Sequence, residues 1–281
     1  MVMKLKQLRS ELSAMLKERG IENSDADISV ILMHLLEIDK TQLVLGDRLV
    51  SDEEYTLILN NIQRLINGEP VQYITGFCEF MSLKFITRPG VLIPRGDTEI
   101  LVEAILDRLD KNASVADFCC GSGCIGISLA HYAPNISVTA IDISDDALAI
   151  AKENAALHGV SDKVKFINRD ILSSIPDSEY DCIVSNPPYI RSDVIKALDP
   201  KVRNMEPRIA LDGGDDGLIF YRRIAECAPL RKDGLLAFEI GFDQGQAVCD
   251  ILNNNGYKNV ELLQDIENRD RVVLATKCLA E

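Results

Sequence analysis

From residue 97 to the end of the chain, short apolar runs alternate with segments of helical periodicity. The apolar runs predict strands at 114–119, 137–141, 164–168, 180–185, 234–240, 257–263 and 271–276. The intervening segments predict helices at 97–109, 123–131, 144–159, 217–228 and 244–254. Such alternation is typical of a mainly parallel sheet with helices on both faces. Ligands bind such sheets at the carboxyl ends of the strands, so the residues that follow each strand are the first candidates for a site.

The first seventy residues show a different pattern, which predicts helices only. Leu5, Leu8 and Leu12 recur on one helical face, and Ser51 with Glu54 forms a capping box that opens a later helix. The stretch 77–86 predicts an extended hairpin. We therefore expect a helical domain at 1–72, a hairpin linker at 73–96 and an α/β domain at 97–281.

A glycine-containing loop joins the first predicted strand of the α/β domain to its helix. Its sequence is Asp117-Phe-Cys-Cys-Gly-Ser-Gly123, in which Gly121 and Gly123 permit a tight turn and a close approach of a ligand to the backbone. The loop is not the dinucleotide fingerprint Gly-x-Gly-x-x-Gly because Cys119 holds the place of the first glycine, and no P-loop Lys follows. A ligand without a pyrophosphate therefore fits better. A purely structural turn would show the same pattern.

Two carboxylates follow the next two predicted strands. Asp142 comes 21 positions after Gly121 (142 − 121), a spacing that suits hydrogen bonds to ribose hydroxyls. Asp170 is placed to accept from an adenine amino group while Ile171 packs on the ring. Asp142 as a simple helix cap, and Asp170 as a solvated loop carboxylate, are the alternatives. Taken together with the glycine loop, the pattern favours an adenosine site.

The fourth strand is followed by Asn186-Pro187-Pro188-Tyr189. The Asn side chain offers a carbonyl acceptor, Pro187 offers a carbonyl without a competing N–H, and the aromatic ring offers a flat face. Together these groups can hold a planar –NH2 group by both hydrogens. Asn-Pro and Pro-Pro also mark ordinary turns, so a structural role is the alternative.

An adenosine site beside a clamp for a planar amine suits S-adenosylmethionine as a methyl donor. Delocalised nitrogens are poor nucleophiles, and acceptance of both N–H hydrogens favours a pyramidal nitrogen with an available lone pair. Positioning and hydrogen bonds that strengthen in the transition state would supply much of the rate. This chemistry needs neither a metal nor a strong general base.

Charge and cysteine content limit the partners and the compartment. The formal net charge of −14 repels phosphate backbones, so we expect no direct contact with nucleic acid. The eight cysteines form no Cys-x-x-Cys pair, which argues against zinc and for reduced thiols. We find no run of membrane-spanning length and expect a cytoplasmic protein.

Over nearly its whole length the chain resembles the PrmC/HemK family of N5-glutamine methyltransferases, which modify peptide chain release factors. The resemblance lies in the segments 69–76, 91–99, 117–123, 185–189, 206–214 and 268–273, and in Phe80. Among them, 91–99 is similar to the family's Pro-Arg-Pro-Asp-Thr-Glu segment, and 185–189 matches its Asn-Pro-Pro-Tyr.

The resemblance implies a Rossmann-like, seven-stranded methyltransferase domain, a small N-terminal helical domain and a hairpin linker. It implies that S-adenosylmethionine binds, and leaves as S-adenosyl-L-homocysteine, at a site of Cys119, Cys120, Gly121, Ser122, Gly123, Asp142, Asp170, Ile171 and Asn186. It implies that the amide of the substrate glutamine contacts Asn186, Pro187, Pro188 and Tyr189, with Arg95 nearby. The partner would be the Gly-Gly-Gln loop of class I release factors, and we expect a monomeric enzyme.

The chain departs from the family pattern at two places. Gly96 stands where the family often has Pro, which loosens the segment that holds Arg95 and Glu99. Cys119 and Cys120 replace the more usual small and hydroxyl residues of the donor loop, which weakens side-chain hydrogen bonds there. Neither change removes a group that the proposed chemistry needs.

Three other functions remain as alternatives. Methylation of an exocyclic amine on DNA or RNA would use the same chemistry, but the acidic charge argues against it. A module that binds S-adenosylmethionine without turnover would not need the Asn186 acceptor. A nicotinamide oxidoreductase would be expected to carry the missing third glycine.

Overall fold

A computed structural model describes residues 3–21 and 24–277 of the chain. In chain order, the strands are β1 Met3–Lys4, β2 Leu49–Val50, β3 Phe77–Phe80, β4 Leu83–Ile86, β5 Ser114–Phe118, β6 Ser137–Asp142, β7 Val164–Asn168, β8 Tyr180–Ser185, β9 Leu230–Glu239, β10 Tyr257–Gln264 and β11 Asp270–Lys277. The α-helices are α1 Leu5–Glu18, α2 Asp25–Leu36, α3 Lys40–Leu45, α4 Asp52–Ile66, α5 Val71–Thr75, α6 Glu99–Leu106, α7 Cys124–Tyr132, α8 Asp145–Leu157, α9 Pro200–Met205, α10 Ile219–Cys227 and α11 Gly245–Asn254. No helix in the described ranges is long and apolar enough to cross a bilayer.

The chain forms two compact units. One consists of the described part of Met1–Phe77 together with Pro200–Met205, and the other of Cys78–Asp199 with the described part of Glu206–Glu281. The short helix α9 thus belongs to the first unit although it lies far along the sequence. The seven cysteines within the described ranges are free thiols, and Cys278 lies outside those ranges.

The first unit is helical because its apolar residues recur at helical spacing. Leu5, Leu8 and Leu12 on α1 are buried in one core, as their spacing predicts. The predicted capping box is confirmed at the start of α4, where Ser51 Oγ accepts from Glu54 N (3.2 Å) and Glu54 Oε2 accepts from Ser51 N (2.9 Å).

Several short elements of the first unit were not predicted from the sequence. They are α3, α5, α9 and the pairing of β1 with β2. Helices of six residues or fewer span less than two turns, so they carry almost no periodic signal. Helix α2 begins at Asp25, directly after Ser24, whose side chain makes no capping hydrogen bond.

Within the described residues of the second unit, seven strands form one sheet in the order β10-β11-β9-β8-β5-β6-β7. The strands β9, β8, β5, β6 and β7 run parallel, and β11 and β10 add to the β9 edge in antiparallel fashion. The predicted α/β fold class with a seven-stranded, mainly parallel sheet is confirmed. Strands β3 and β4 form the predicted two-stranded sheet.

Helices cover both faces of the large sheet. Successive residues of a strand point to opposite faces, and Val115 and Ala116 of β5 accordingly belong to different hydrophobic clusters. The cluster of Val115 includes residues of α6, α7 and α8, and that of Ala116 includes residues of α10 and α11. Burial on both faces explains why the central strands are continuously apolar.

The register of the central strands brings their carboxyl ends to one edge. Phe118 of β5 lies opposite Ile141 of β6 on one side and Ser185 of β8 on the other. Ser185 in turn lies opposite Phe238 of β9. The residues that follow these positions therefore meet at one end of the sheet, as the alternation of strands and helices predicts.

A buried Asn154 ties the hairpin to the start of α7. Its Oδ1 accepts from Ile86 N (2.7 Å), and its Nδ2 donates to Ile86 O (3.2 Å) and Ser122 O (3.0 Å). Because Asn154 is fully buried, removal of its side chain leaves these backbone groups without a partner and away from bulk solvent.

We expect Asn154→Ala to lower the free energy of unfolding by about 2–4 kcal/mol, since three buried hydrogen bonds are lost at about 1 kcal/mol each or more. Urea unfolding followed by far-UV circular dichroism measures this change, and amide exchange at Ile86 locates it. The control is Asn255→Ala, because that exposed side chain donates only to Ile251 O. Equal stability of the two variants, with Ile86 equally protected, would contradict this role.

Candidate active site

A cavity of about 610 Å³ lies at the carboxyl edge of the large sheet. Its volume is within the usual range for a small-molecule site, about 300–1,000 Å³. The predicted site residues that line it are Arg95, Cys119, Cys120, Gly121, Ser122, Asp142, Asp170, Ile171, Asn186 and Pro188. Gly123, Pro187 and Tyr189 are not among the described lining residues.

The loop after β5 is held by hydrogen bonds from its own backbone. Cys120 N donates to Ile141 O (3.0 Å), and Gly121 N donates to Asp142 Oδ2 (2.8 Å). Gly121 has a φ of 53°, and a Cβ added there would meet no atom within 4 Å. The loop therefore leaves open space beside its backbone, which a ligand can approach closely.

Asp142 at the end of β6 has acceptor capacity in reserve. Its Oδ1 accepts from Ser144 N (2.9 Å) and its Oδ2 from Gly121 N (2.8 Å). Burial raises the pKa of this carboxyl, and these backbone N–H groups lower it. Each carboxylate oxygen has a second lone pair, so a diol can still donate to it. The cap of α8 is Ser144, whose Oγ accepts from Ala147 N (3.2 Å).

Asp170 and Ile171 lie at the next turn, after β7. Asp170 Oδ1 accepts from Leu172 N (2.9 Å), which fixes the turn. Ile171 is buried, and together with Leu172 and Phe220 it provides an apolar wall of the cavity. A carboxylate beside an apolar wall suits a flat heterocycle that carries an amino group.

Carboxyl groups lie close to Cys119 in the loop after β5, and arginines lie elsewhere around the cavity. The pKa of the Cys119 thiol is raised above all by burial, then by Asp142, and less by Asp117 and Asp170. Three arginines line the cavity: Arg95 Nη2 lies 2.5 Å from Glu206 Oε1, Arg208 pairs with Asp212, and Arg169 Nη1 donates to the neutral Ile175 O (3.3 Å).

Asp117 adds a buried carboxyl at the base of the loop. Its Oδ2 accepts from Gly126 N (3.0 Å), and within the described chain Oδ1 has no hydrogen-bond partner. Burial raises the pKa of Asp117 to about 7. The carboxyls close to this loop, Asp117 and Asp142, suit a ligand that places a cationic group there.

The nitrogen and the oxygen of the Asn186 side-chain amide face different surroundings. Its Nδ2 lies 3.5 Å from Thr98 Oγ1, at the long limit for a hydrogen bond. The pairing of β8 with β9 places the Glu239 carboxyl beside Asn186, whose side chain lowers the pKa of that carboxyl. With the nitrogen turned toward these residues, the carbonyl oxygen is the atom left for the cavity that Asn186 lines.

Tyr189 is fixed through its backbone. Gln244 Nε2 donates to Tyr189 O (3.0 Å) and to Gly217 O (3.2 Å), while Gln244 Oε1 accepts from Gly241 N (3.0 Å). Burial raises the pKa of the Tyr189 phenol to about 12, so the ring is neutral. Tyr189 is therefore held by its surroundings, although neither it nor Pro187 is among the described residues that line the cavity.

The segment after Tyr189 packs against a second loop. Ile190 forms a parallel bridge with Asp212, and Gly213 N donates to Ile190 O (2.8 Å). A Cβ at Gly213 would lie 2.8 Å from Pro188 O, so only glycine allows this approach. The Asn-Pro-Pro-Tyr turn is thereby held rigidly in place.

Sequence reasoning missed several residues of this site. Thr98, Phe220 and the 207–210 loop line the cavity. Gln244 holds the Tyr189 backbone, and Glu239 lies beside Asn186. Glu239 ends β9, so its position at a strand end was a usable signal. Gln244 offered none, because its role depends on a contact with a residue 55 positions away.

Comparisons with known proteins agree with this geometry. Residues 82–199 match the family model described as the methyltransferase small domain, and residues 7–76 match the PrmC N-terminal domain. A solved methyltransferase from Pyrococcus furiosus superposes with a TM-score of 0.54 over 82% of this chain and all of that one, at 16% identity. The match to the methyltransferase family model, on this fold, identifies the chain as an S-adenosylmethionine-dependent methyltransferase.

Curated relatives give the family. The release factor glutamine methyltransferase of Clostridium acetobutylicum is 40% identical over 98% of this chain and 99% of its own length. That of Moorella thermoacetica is 42% identical over 97% of this chain and 98% of its own length. The chain belongs to the release factor glutamine methyltransferase family.

We expect Asp142→Ala to lower the affinity for S-adenosylmethionine by about 10- to 100-fold, since a hydrogen bond to a charged group is lost, worth about 1.5–3 kcal/mol. Isothermal titration calorimetry measures the dissociation constant. Asp145→Ala is the control, because Asp145 follows on the same connection and accepts from Asn168 Nδ2 instead. An unchanged affinity in Asp142→Ala would remove this residue from the donor site.

Proposed function

We propose that this enzyme transfers a methyl group from S-adenosylmethionine to the side-chain amide nitrogen of the glutamine in the Gly-Gly-Gln loop of class I release factors. One observation carries the proposal: the Asn186 amide turns its nitrogen toward Thr98 and Glu239, which leaves its oxygen as an acceptor at the cavity. The names of the curated relatives state the same substrate class.

The donor side of the cavity is assigned to the residues after β5, β6 and β7. Cys119–Gly123 would approach the methionine part through backbone atoms, Asp142 would accept from the ribose hydroxyls, and Asp170 with Ile171 would hold the adenine. The donor supplies an electrophilic methyl group on its sulfonium. The nearby carboxylates favour that cation, and the apolar wall favours the ring.

The acceptor side is assigned to the turn after β8. The Asn186 carbonyl and the Pro187 carbonyl would each accept one N–H of the glutamine amide, and Tyr189 would pack on its plane. Two accepted hydrogens draw the nitrogen lone pair out of conjugation with the amide carbonyl. The same hydrogen bonds strengthen as positive charge develops on the nitrogen, which is differential binding of the transition state.

Arg95 is proposed to position the substrate loop. Its guanidinium lines the cavity and is held by Glu206, whose side chain is almost completely buried. A guanidinium anchored in this way keeps further N–H groups for backbone carbonyls of a substrate.

The partner implies the setting of the enzyme. A release factor is a cytoplasmic protein, so we assign the enzyme to the cytoplasm and to no membrane. The net charge of −14 favours a protein substrate over a nucleic acid. We propose that the enzyme acts as a monomer and that the helical unit assists docking of the release factor.

The direct test is mass spectrometry of a release factor incubated with the full-length enzyme and labelled donor. A mass increase of one methyl group on the loop glutamine, absent when that glutamine is replaced by Glu, supports the proposal. Transfer to another residue, or to DNA or RNA added as competing substrates, contradicts it.

We expect Asn186→Ala to lower kcat by about 10²- to 10³-fold, which is the effect of removing one group that stabilises transition-state charge. Donor affinity should change little, because the acceptor oxygen contacts the substrate amide. Single-turnover transfer rates and calorimetry measure the two quantities separately. Asn255→Ala, an exposed position remote in sequence, serves as the control. A variant Asn186→Ala that methylates at the wild-type rate would contradict the clamp.

A further inference from the structure

Glu239 is a buried acid directly behind the acceptor turn. It ends β9, next to the β8 strand that leads into Asn186, and Ser185 and Phe238 are paired at the preceding position. Its side chain is almost completely buried, and within the described part of the chain Oε2 has no hydrogen-bond partner. Thr98 and Asn186 line the cavity, and Glu239 is not among the described residues that do.

Thr98, Asn186 and Glu239 form a connected group. Asn186 Nδ2 lies 3.5 Å from Thr98 Oγ1. The pairing of β8 with β9 places Glu239 beside Asn186, and the side chains of Thr98 and Asn186 both lower the pKa of the Glu239 carboxyl. A carboxylate can only accept, so the branch of the Asn186 amide that faces it must be the nitrogen. The opposite branch, which is the carbonyl oxygen, is then the one available at the cavity.

We infer that Glu239 is a positioning residue whose carboxylate fixes the Asn186 amide with its oxygen toward the substrate and, by its charge, makes that oxygen a stronger acceptor. The inference rests on the proposed function and adds a residue that does not touch the substrate. Without the carboxylate the amide could rotate, and its nitrogen would then face the substrate N–H groups.

Charged and titratable groups surround Glu239 from every neighbouring element. They are Asp97 before α6, Cys124 on α7, Tyr189 after β8, Tyr221 on α10 and Arg271 on β11. Burial raises the pKa of Glu239 to about 7, and the contacts from Thr98, Arg271 and Asn186 lower it. Burial also raises the pKa of Cys124, Tyr189 and Tyr221, so these three stay neutral near pH 7.

The protonation state of Glu239 determines how kcat should depend on pH. Protonation gives Glu239 an O–H that can donate, so the neutral acid no longer requires the amide nitrogen on its side. With both substrates saturating, kcat should rise with pH up to about 7 and then level off, because the ionised form is the active one.

The test compares Glu239→Gln with wild type. We expect a loss in kcat of about 10- to 100-fold, typical of removing a group that orients a functional side chain, with an unchanged dissociation constant for S-adenosylmethionine and no rising limb below pH 7. The inference would be overturned if the kcat of Glu239→Gln still rose with pH below 7, or if it equalled the kcat of wild type. Asp181→Asn is the matched control, since Asp181 lies at the amino end of β8 and pairs with Arg231.

Two further measurements keep the inference testable if Glu239→Gln does not fold. In wild type the side-chain 1H–15N resonances of Asn186 should titrate near pH 7, whether or not methyl transfer occurs. Thr98→Val should lower kcat while retaining the pH limb, and Thr98→Ser should restore the rate. An Asn186 resonance that does not titrate overturns the role of Glu239. A wild-type enzyme that does not methylate the release factor instead overturns the proposed function.

Discussion

The site depends on the parallel register of β5, β8 and β9. Phe118, Ser185 and Phe238 lie side by side across these strands, and Ser185 Oγ donates to Phe118 O (2.6 Å). The glycine loop, Asn186 and Glu239 follow directly after this row of three residues. A slip of one residue in β8 would turn its buried side chains to the other face, so the burial that stabilises the sheet also fixes the position of Asn186.

Two carboxyl groups of the enzyme are buried at positions where the loss of solvation disfavours their charged forms. Asp117 and Glu239 are both almost completely buried, and each has one oxygen without a partner among the described residues. Burial raises the pKa of each to about 7. Such groups lower the stability of an empty protein at neutral pH, because their charged forms lack solvation. Their positions around the donor loop and Asn186 suggest that their charge serves binding and chemistry rather than folding.

Much of this architecture could be predicted from the sequence, and the rest could not for physical reasons. The strands β5, β6 and β8 lie inside the sheet, are largely buried and are bounded by turn residues, so their apolar runs stand out. The start of β9 at Leu230, four residues before the predicted one, was hidden by Arg231, Lys232 and Asp233, which are polar and exposed. Asp233 also has a φ of 60°.

Some residues of the candidate site could likewise be predicted from the sequence, and others could not. Residues that follow a strand, such as Asp142 and Asn186, carry a signal because every parallel strand ends at the same edge. Gln244 acts through Tyr189 O, and Thr98 acts through Asn186, so their roles depend on contacts between distant parts of the chain. One sequence holds no information on such pairs.

The most direct test is a crystal structure of the enzyme with S-adenosyl-L-homocysteine and a peptide that carries the Gly-Gly-Gln loop. The glutamine nitrogen should lie about 2.7–3.2 Å from both Asn186 Oδ1 and Pro187 O, with one face open toward the sulfur of the cofactor product. A glutamine bound with its nitrogen directed away from these two oxygens would contradict the account.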